Sequence, residues 1–394
     1  MKRKINYYKN IYFMYAISFF DGLILAYVIE RLFWAERGMN VTMVVATEII
    51  YAITTIVLEV PSGVLADKFG RKKLLLIGAF LSLLEMTIIY YAHSFFAFGF
   101  AVFLAGINNA FRSGAKEALI YDSLQEAKKE AGFEGVYGRV NAIDTIGATI
   151  AALSGGVLAY YFGLEINYVV SIFSKAIAFI LVIFIKEPSR KILEIDNNNT
   201  SFKIYIKEGI KFFKNNKVIF NYCMIGCFLS ACWSYIDEFW QLLAVQINVP
   251  IFLFGVISIS YSVFTVPGNL LADKLKKIIS YSKFFKLTPF VFALGFILIG
   301  ISKSYWMFTP LMFLGIWNGI LTPLLEGCIH HNTDSSIRAT VESLLSLLMR
   351  LFAIGVGLLF SIFANKNILL GYLSLGVLCL IYGLQNLVFK RKIR

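Results

Sequence analysis

Charge is what this chain has little of. Of its 394 residues only 15% are Asp, Glu, Lys or Arg, while 58% are hydrophobic. Soluble domains carry about 25% charged residues, so a water-soluble enzyme of this size is excluded. Histidine numbers three and cysteine five, and Cys223, Cys227, Cys232, Cys328 and Cys379 all lie inside apolar segments. Cys223 and Cys227 stand one helical turn apart, but no His or further Cys completes a metal shell, and one helix does not bridge them well. A structural role is expected, and neither a metal nor another cofactor is implied. No Gly-x4-Gly-Lys-Ser/Thr loop is present, which disfavours an ATP-driven pump. No Ser/His/Asp or His/His/Glu set has workable spacing, so an integral-membrane enzyme is not expected either. The formal net charge is +13. A nucleic-acid partner is nevertheless not expected, because the Lys and Arg sit in short clusters between long apolar runs and not on one polar face.

What is present is apolar length. A bilayer core takes roughly 20 apolar residues per helix. Windows bounded by charge or turn residues give twelve spans, at 11–33, 42–66, 74–93, 96–121, 139–162, 165–186, 217–243, 250–272, 285–303, 306–330, 339–364 and 367–388. The longest polar stretch, 187–216, separates two six-helix halves, 1–186 and 217–394. The basic Met1-Lys2-Arg3-Lys4 start leads into an apolar run too long for a signal-peptide core, so it reads as a retained first helix. Of the 37 Lys and Arg, 29 fall in one set of loops and four in the opposite set. By the positive-inside rule both termini and the central linker are cytoplasmic. An even number of crossings agrees with that. The expected fold is all-α and integral to a cell membrane, of the bacterial inner-membrane type.

The two halves share a repeat. Val60-Pro61-Ser62-Gly63-Val64-Leu65-Ala66-Asp67-Lys68 ends the second span and Val266-Pro267-Gly268-Asn269-Leu270-Leu271-Ala272-Asp273-Lys274 ends the eighth. A fainter echo joins Gly106-Ile107-Asn108-Asn109 with Glu117 to Gly315-Ile316-Trp317-Asn318 with Glu326. Parallel six-helix repeats are expected of a large transporter class with its substrate site near mid-bilayer.

The segment Gly63-Val64-Leu65-Ala66-Asp67-Lys68-Phe69-Gly70-Arg71-Lys72-Lys73 resembles the loop 2–3 motif of the major facilitator superfamily. With twelve spans and the repeat, the resemblance covers essentially the whole chain. It implies that Asp67 faces the start of the eleventh helix, and that Arg71 pairs with an acid at the end of helix four, here Asp122. Together with Lys72 and the decayed copy at Asp273, these residues would latch the cytoplasmic side. Gly63 belongs to the same motif, and Gly70 is expected at a positive-φ turn position. Glu59-Val60-Pro61 looks like a variant found in tetracycline-type and other efflux members of Gram-positive bacteria. Gly147-x3-Ala151-Ala152-x2-Gly155-Gly156 keeps the spacing of an exporter motif on helix five, with Ala-Ala replacing Gly-Pro. Small residues four apart allow close helix packing.

An ionisable group in the hydrocarbon costs about 2.5–3.5 kcal/mol on insertion scales, so each is a functional candidate. The resemblance implies that helices 1, 4, 7 and 10 line a central cavity. Asp21, Arg112, Glu117, Asp237, Glu238 and Glu326 fall on them. Glu48 and Glu59 stand eleven residues apart on span two, about three turns, hence on one face. Asp21, mid-membrane, is the first candidate for proton coupling, and Arg112 is its expected countercharge. The leading expectation is proton-coupled export of amphipathic small molecules by alternating access, acting as a monomer whose partners are a small-molecule substrate, protons and the lipid bilayer. An importer of a polar metabolite is the alternative within transport, and a transport-inactive receptor or scaffold the alternative outside it.

Overall fold

The computed structural model of the chain describes residues 7–188, 210–333 and 338–389. Position Gly63 and the side chains of Asp67 and Lys68 lie outside the described residues, as does most of the polar stretch 187–216. The expected linker and the Asp67 contact are therefore not among the features described.

Among the described residues all regular structure is helical. The helices of the first half are α1 Lys9–Gly22, α2 Glu30–Glu36, α3 Val41–Phe69, α4 Arg71–Tyr91, α5 Phe95–Glu126, α6 Phe133–Phe162 and α7 Glu165–Phe184. Those of the second are α8 Lys217–Gln246, α9 Phe254–Ile278, α10 Tyr281–Ile301, α11 Phe308–Asn332, α12 Arg338–Ala364 and α13 Ile368–Phe389. Twelve helical segments among the described residues are long and apolar enough to cross a membrane. The protein is a multi-pass membrane protein.

Local chemistry sets the ends of these helices. The Asn40 side chain accepts the Met43 N–H at 2.9 Å and starts α3, and Ser94 does the same for α5. Such side chains satisfy N–H groups that the helix itself leaves unpaired. Gly70 ends α3 with φ +105° and Gly163 ends α6 with φ +86°, conformations that only glycine adopts freely. In the second copy of the repeat, Lys276 stands where Gly70 would be, and α9 runs on to Ile278. Helices α5 and α6 outrun the apolar windows at their shared end, to Glu126 and from Phe133. Hydropathy marks the hydrocarbon, whereas a helix persists for as long as its polar turns find partners.

The first span is not one helix. The α-helix stops at Gly22, a 3₁₀ turn follows over Leu25–Val28, and α2 resumes at Glu30. A Cβ on Gly22 would lie 2.1 Å from the Asp144 carbonyl oxygen, so only glycine allows this approach to α6.

The chain divides into two compact units, Met1–Glu194 with Pro250–Val256, and Ile195–Val249 with Ile257–Arg394. In the first, α5 packs between α3 and α4, α1 lies against α6 and α7, and α4 meets α7. Its core gathers Leu119, Ile120, Val140 and Ile185. In the second, α10 packs on α13 and α11, and α8 on α12 and α11. There Cys223 and Cys227 join Ile329 and Val341 in a buried cluster, and all five cysteines are free thiols in buried positions.

Candidate functional site

A polar cavity of about 390 Å³ opens within the first unit. It begins at the break after Asp21. Interrupting a helix in a bilayer frees backbone groups that must find partners in the protein. Helix α7 supplies them from one face. Asn167 donates to the Leu25 and Gly155 carbonyls at 3.1 and 3.0 Å, the Ser171 hydroxyl accepts the Ala26 N–H at 3.0 Å, and the Ser174 hydroxyl donates to the Phe20 carbonyl at 2.8 Å. Their spacing of i, i+4 and i+7 is one stripe of a helix. Lys175 continues it.

Asp21 is the centre of charge. Arg112 on α5 donates to both of its carboxylate oxygens, one of them at 3.1 Å. Lys175 Nζ lies 3.2 Å from Asp21 Oδ1. The Asp21 and Lys175 side chains are only 8% and 6% exposed, so water screens neither. Two cations on one carboxylate leave this cluster with a net positive charge, and removing Asp21 would strand both. Breaking a buried pair from one side typically costs about 3–5 kcal/mol.

The rest of the cavity wall comes from α2, α3, α4, α5 and α6. Arg31 lies 3.1 Å from Glu48 and 3.7 Å from Glu30, with its guanidinium over the Trp34 ring. Ser82 and Glu85 enter from α4, Asn108 and Asn109 from α5, Asp144 from α6 and Tyr51 from α3.

The cavity thus unites Asp21, Arg112 and Glu48 among the residues singled out from sequence. Glu59 is exposed and does not line it. Eleven residues place Glu48 and Glu59 on one face, but about 16 Å apart along the axis, more than one cavity wall spans. Glu117 also lies outside. It is five residues beyond Arg112, about 140° around α5, and accepts a hydrogen bond from Tyr137 on α6 instead. Asp237 and Glu326 are exposed residues of α8 and α11, both in the second unit. Asp273, the counterpart of Asp67 in the repeat, pairs among the described residues with Lys277 on its own helix at 2.6 Å. Glu30, Arg31, Glu85, Asp144 and Lys175 complete the cavity's charges without having been assigned a role there. The signal for Lys175 was available: it is the one ionisable residue in the middle of α7.

A second cluster surrounds the start of α4. Arg71 forms an ion pair with Asp122 and also donates to the Ala118 carbonyl. Gly70 has no side chain with which to cap α4, and Glu187 takes that place. Its carboxylate accepts the Arg71 and Lys72 backbone N–H groups, each at 2.8 Å, where the helix dipole favours negative charge. Lys72 Nζ reaches the Ile183 carbonyl at 2.8 Å, tying the same turn to the end of α7. On α6, Gly147 and Gly155 bring the helix against the backbone of the first span: added Cβ atoms would lie 2.4 Å from the Phe19 oxygen and 2.9 Å from the Leu25 oxygen. Gly156 faces the Ile251 oxygen in the same way, at 2.8 Å.

The pattern of the Major Facilitator Superfamily matches residues 11–358. This chain belongs to that superfamily. A region of 187 residues is 29% identical to an uncharacterized transporter of Buchnera aphidicola subsp. Acyrthosiphon pisum (strain APS), covering 46% of this chain and 44% of that protein. An uncharacterized transporter of Buchnera aphidicola subsp. Schizaphis graminum (strain Sg) is 30% identical over a region of the same length, 46% of this chain and 43% of that one. The match thus spans less than half the length of these curated relatives. Among solved structures, a point variant of the nucleoside transporter NupG superimposes with a TM-score of 0.75 at 13% identity, over 95% of this chain and 97% of that one. A bacterial homolog of the human lysosomal transporter Spinster gives 0.69 at 13%, over 97% and 96%. A D-xylose–proton symporter gives 0.66 at 12%, over 96% and 97%. At these identities the likeness shows the superfamily fold.

Proposed function

We propose that this transporter is a proton-coupled carrier of a polar small molecule, working by alternating access, with both termini and the linker on the cytoplasmic side. The observation that carries this reading is the Asp21–Arg112–Lys175 cluster, three charged groups from three spans sharing one cavity. At about 2.5–3.5 kcal/mol per charge in the hydrocarbon, such groups persist where they bind or move something. The lining favours a polar substrate over a lipophilic cation. Eight of its side chains are Asp, Glu, Lys or Arg, and Tyr27, Tyr51, Ser82, Asn108 and Asn109 add hydrogen-bonding groups. Helices α3, α4 and α7, outside the four spans expected to line a cavity, contribute Glu48, Tyr51, Ser82, Glu85 and Lys175.

Export of an amphipathic compound is the second reading. It is supported by Glu59-Val60-Pro61 and by the Gly147, Gly155 and Gly156 spacing. Both readings are tested by reconstituting the full chain in liposomes and imposing a pH gradient of either sign. The test panel holds nucleosides, sugars, short peptides and lipophilic amphiphiles. Gradient-dependent accumulation of a polar compound supports the first reading, and movement of amphiphiles alone supports the second. The sign of the effective gradient gives the direction. Transport of any compound that ignores the gradient would remove proton coupling.

A further inference from the structure

Glu85 lies on the α4 face that carries Ser82 and Ile89 into the cavity, and it is 9% exposed. Among the described residues it makes neither a hydrogen bond nor an ion pair. Five carboxylates line the cavity against three cations. Arg31 is engaged with Glu48 and Glu30, and Arg112 and Lys175 with Asp21. Asp144 is less enclosed. Glu85 is the buried carboxyl group left over.

Its surroundings name what would answer its charge. Lys175 from α7 and Glu30 from α2 line the same cavity, one a cation and the other a carboxylate. Tyr27 lines it as well, with a phenol that carries no formal charge. From α5 and α3 the cavity presents Arg112, Glu48 and Tyr51, and no histidine lines it. A buried carboxylate with no partner is costly, whereas the neutral acid is tolerated. Asp21, by contrast, would have to give up contacts from two cations in order to accept a proton.

We propose that Glu85, and not Asp21, takes up and releases the transported proton, with Lys175 answering the change. With Glu85 protonated, Lys175 stays on Asp21, as seen. When the proton leaves the Glu85 carboxyl for water, the new carboxylate draws the Lys175 ammonium towards α4, and Asp21 keeps Arg112. No other bond forms or breaks. The flexible four-carbon stem of lysine suits this exchange, whereas the bidentate guanidinium suits the fixed partner. The proposal rests on the proton-coupled reading above, and its test needs no transport.

Infrared difference spectra of the full-length protein in lipid, stepped from acidic to alkaline pH, read protonated carboxyl groups directly. The native protein should lose a protonated-carboxyl band. Glutamate labelled with carbon-13 at the side-chain carboxyl should shift that band, while labelled aspartate should leave it in place. Glu85→Gln should abolish it, Glu85→Asp should move it, and Asp21→Asn should keep it. Lys175→Met should push its titration to higher pH, because the carboxylate loses its cation. A band that follows the aspartate label, survives Glu85→Gln or is absent from the native protein overturns the proton assignment. A titration unmoved by Lys175→Met overturns the exchange. If the band is that of Glu85 but no gradient drives uptake, the transport reading fails and the proton site stands.

Discussion

Lys175 lies 3.2 Å from an Asp21 carboxylate that Arg112 already holds through both oxygens. Its placement follows from the backbone. The first span breaks just after Asp21, and the α7 stripe that satisfies the break ends on Lys175. One helix face therefore both repairs the interruption and delivers a charge to it.

The first prediction concerns charge balance. Asp21→Asn strands two buried cations and should lower stability by about 3–5 kcal/mol. Lys175→Met leaves the Asp21–Arg112 pair intact and should cost less. The double variant should recover part of the Asp21→Asn loss, because it removes one of the stranded charges. Thermal unfolding of the purified variants, followed by intrinsic fluorescence, gives the order directly. A double variant whose losses simply add would show that Lys175 and Asp21 are not coupled.

The second concerns the break itself. Asn167 is fully buried and serves two carbonyl groups, Leu25 and Gly155. Asn167→Leu leaves both without this donor, and an unsatisfied buried polar group costs about 1–3 kcal/mol. Hydrogen–deuterium exchange should speed up over residues 23–29 while the middle of α7 stays protected. Unchanged exchange there would mean that the break holds itself together.

The third compares the two ends of the repeat. Arg71 and Asp122 are mostly buried and belong to different helices. A double-mutant cycle of Arg71→Met and Asp122→Asn should give a coupling within the 0.5–3 kcal/mol range of contacting residues, about 1 kcal/mol or more. Asp273 and Lys277, exposed neighbours on one helix, should show no measurable coupling. Equal couplings in the two cycles would remove the distinction between a structured first copy and a solvated second one.

Much of this was legible in the sequence, for identifiable reasons. The twelve spans follow from apolar length, because the bilayer imposes it. Asp21 and Arg112 stood out because charge is rare in hydrocarbon. The Gly147 and Gly155 approach followed from small residues at helical spacing. What stayed hidden depends on tertiary partners. The close approach of Gly22 to the Asp144 carbonyl depends on another helix, and the sequence around Gly22 does not name that partner. Glu187, in an apparently featureless polar stretch, finds its role only at the α4 N-terminus. Glu59 and Glu117 lie outside this cavity, since rarity of charge marks a candidate without saying which face or depth it occupies.

Gradient-driven uptake into proteoliposomes tests the central claim most directly, with the native chain beside Asp21→Asn and Lys175→Met at matched protein content. The native chain should accumulate substrate only under a pH gradient. Asp21→Asn should accumulate none, and Lys175→Met should accumulate less with an altered pH profile. Native-like, gradient-dependent accumulation by Asp21→Asn would show that the buried charge cluster takes no part in coupled transport.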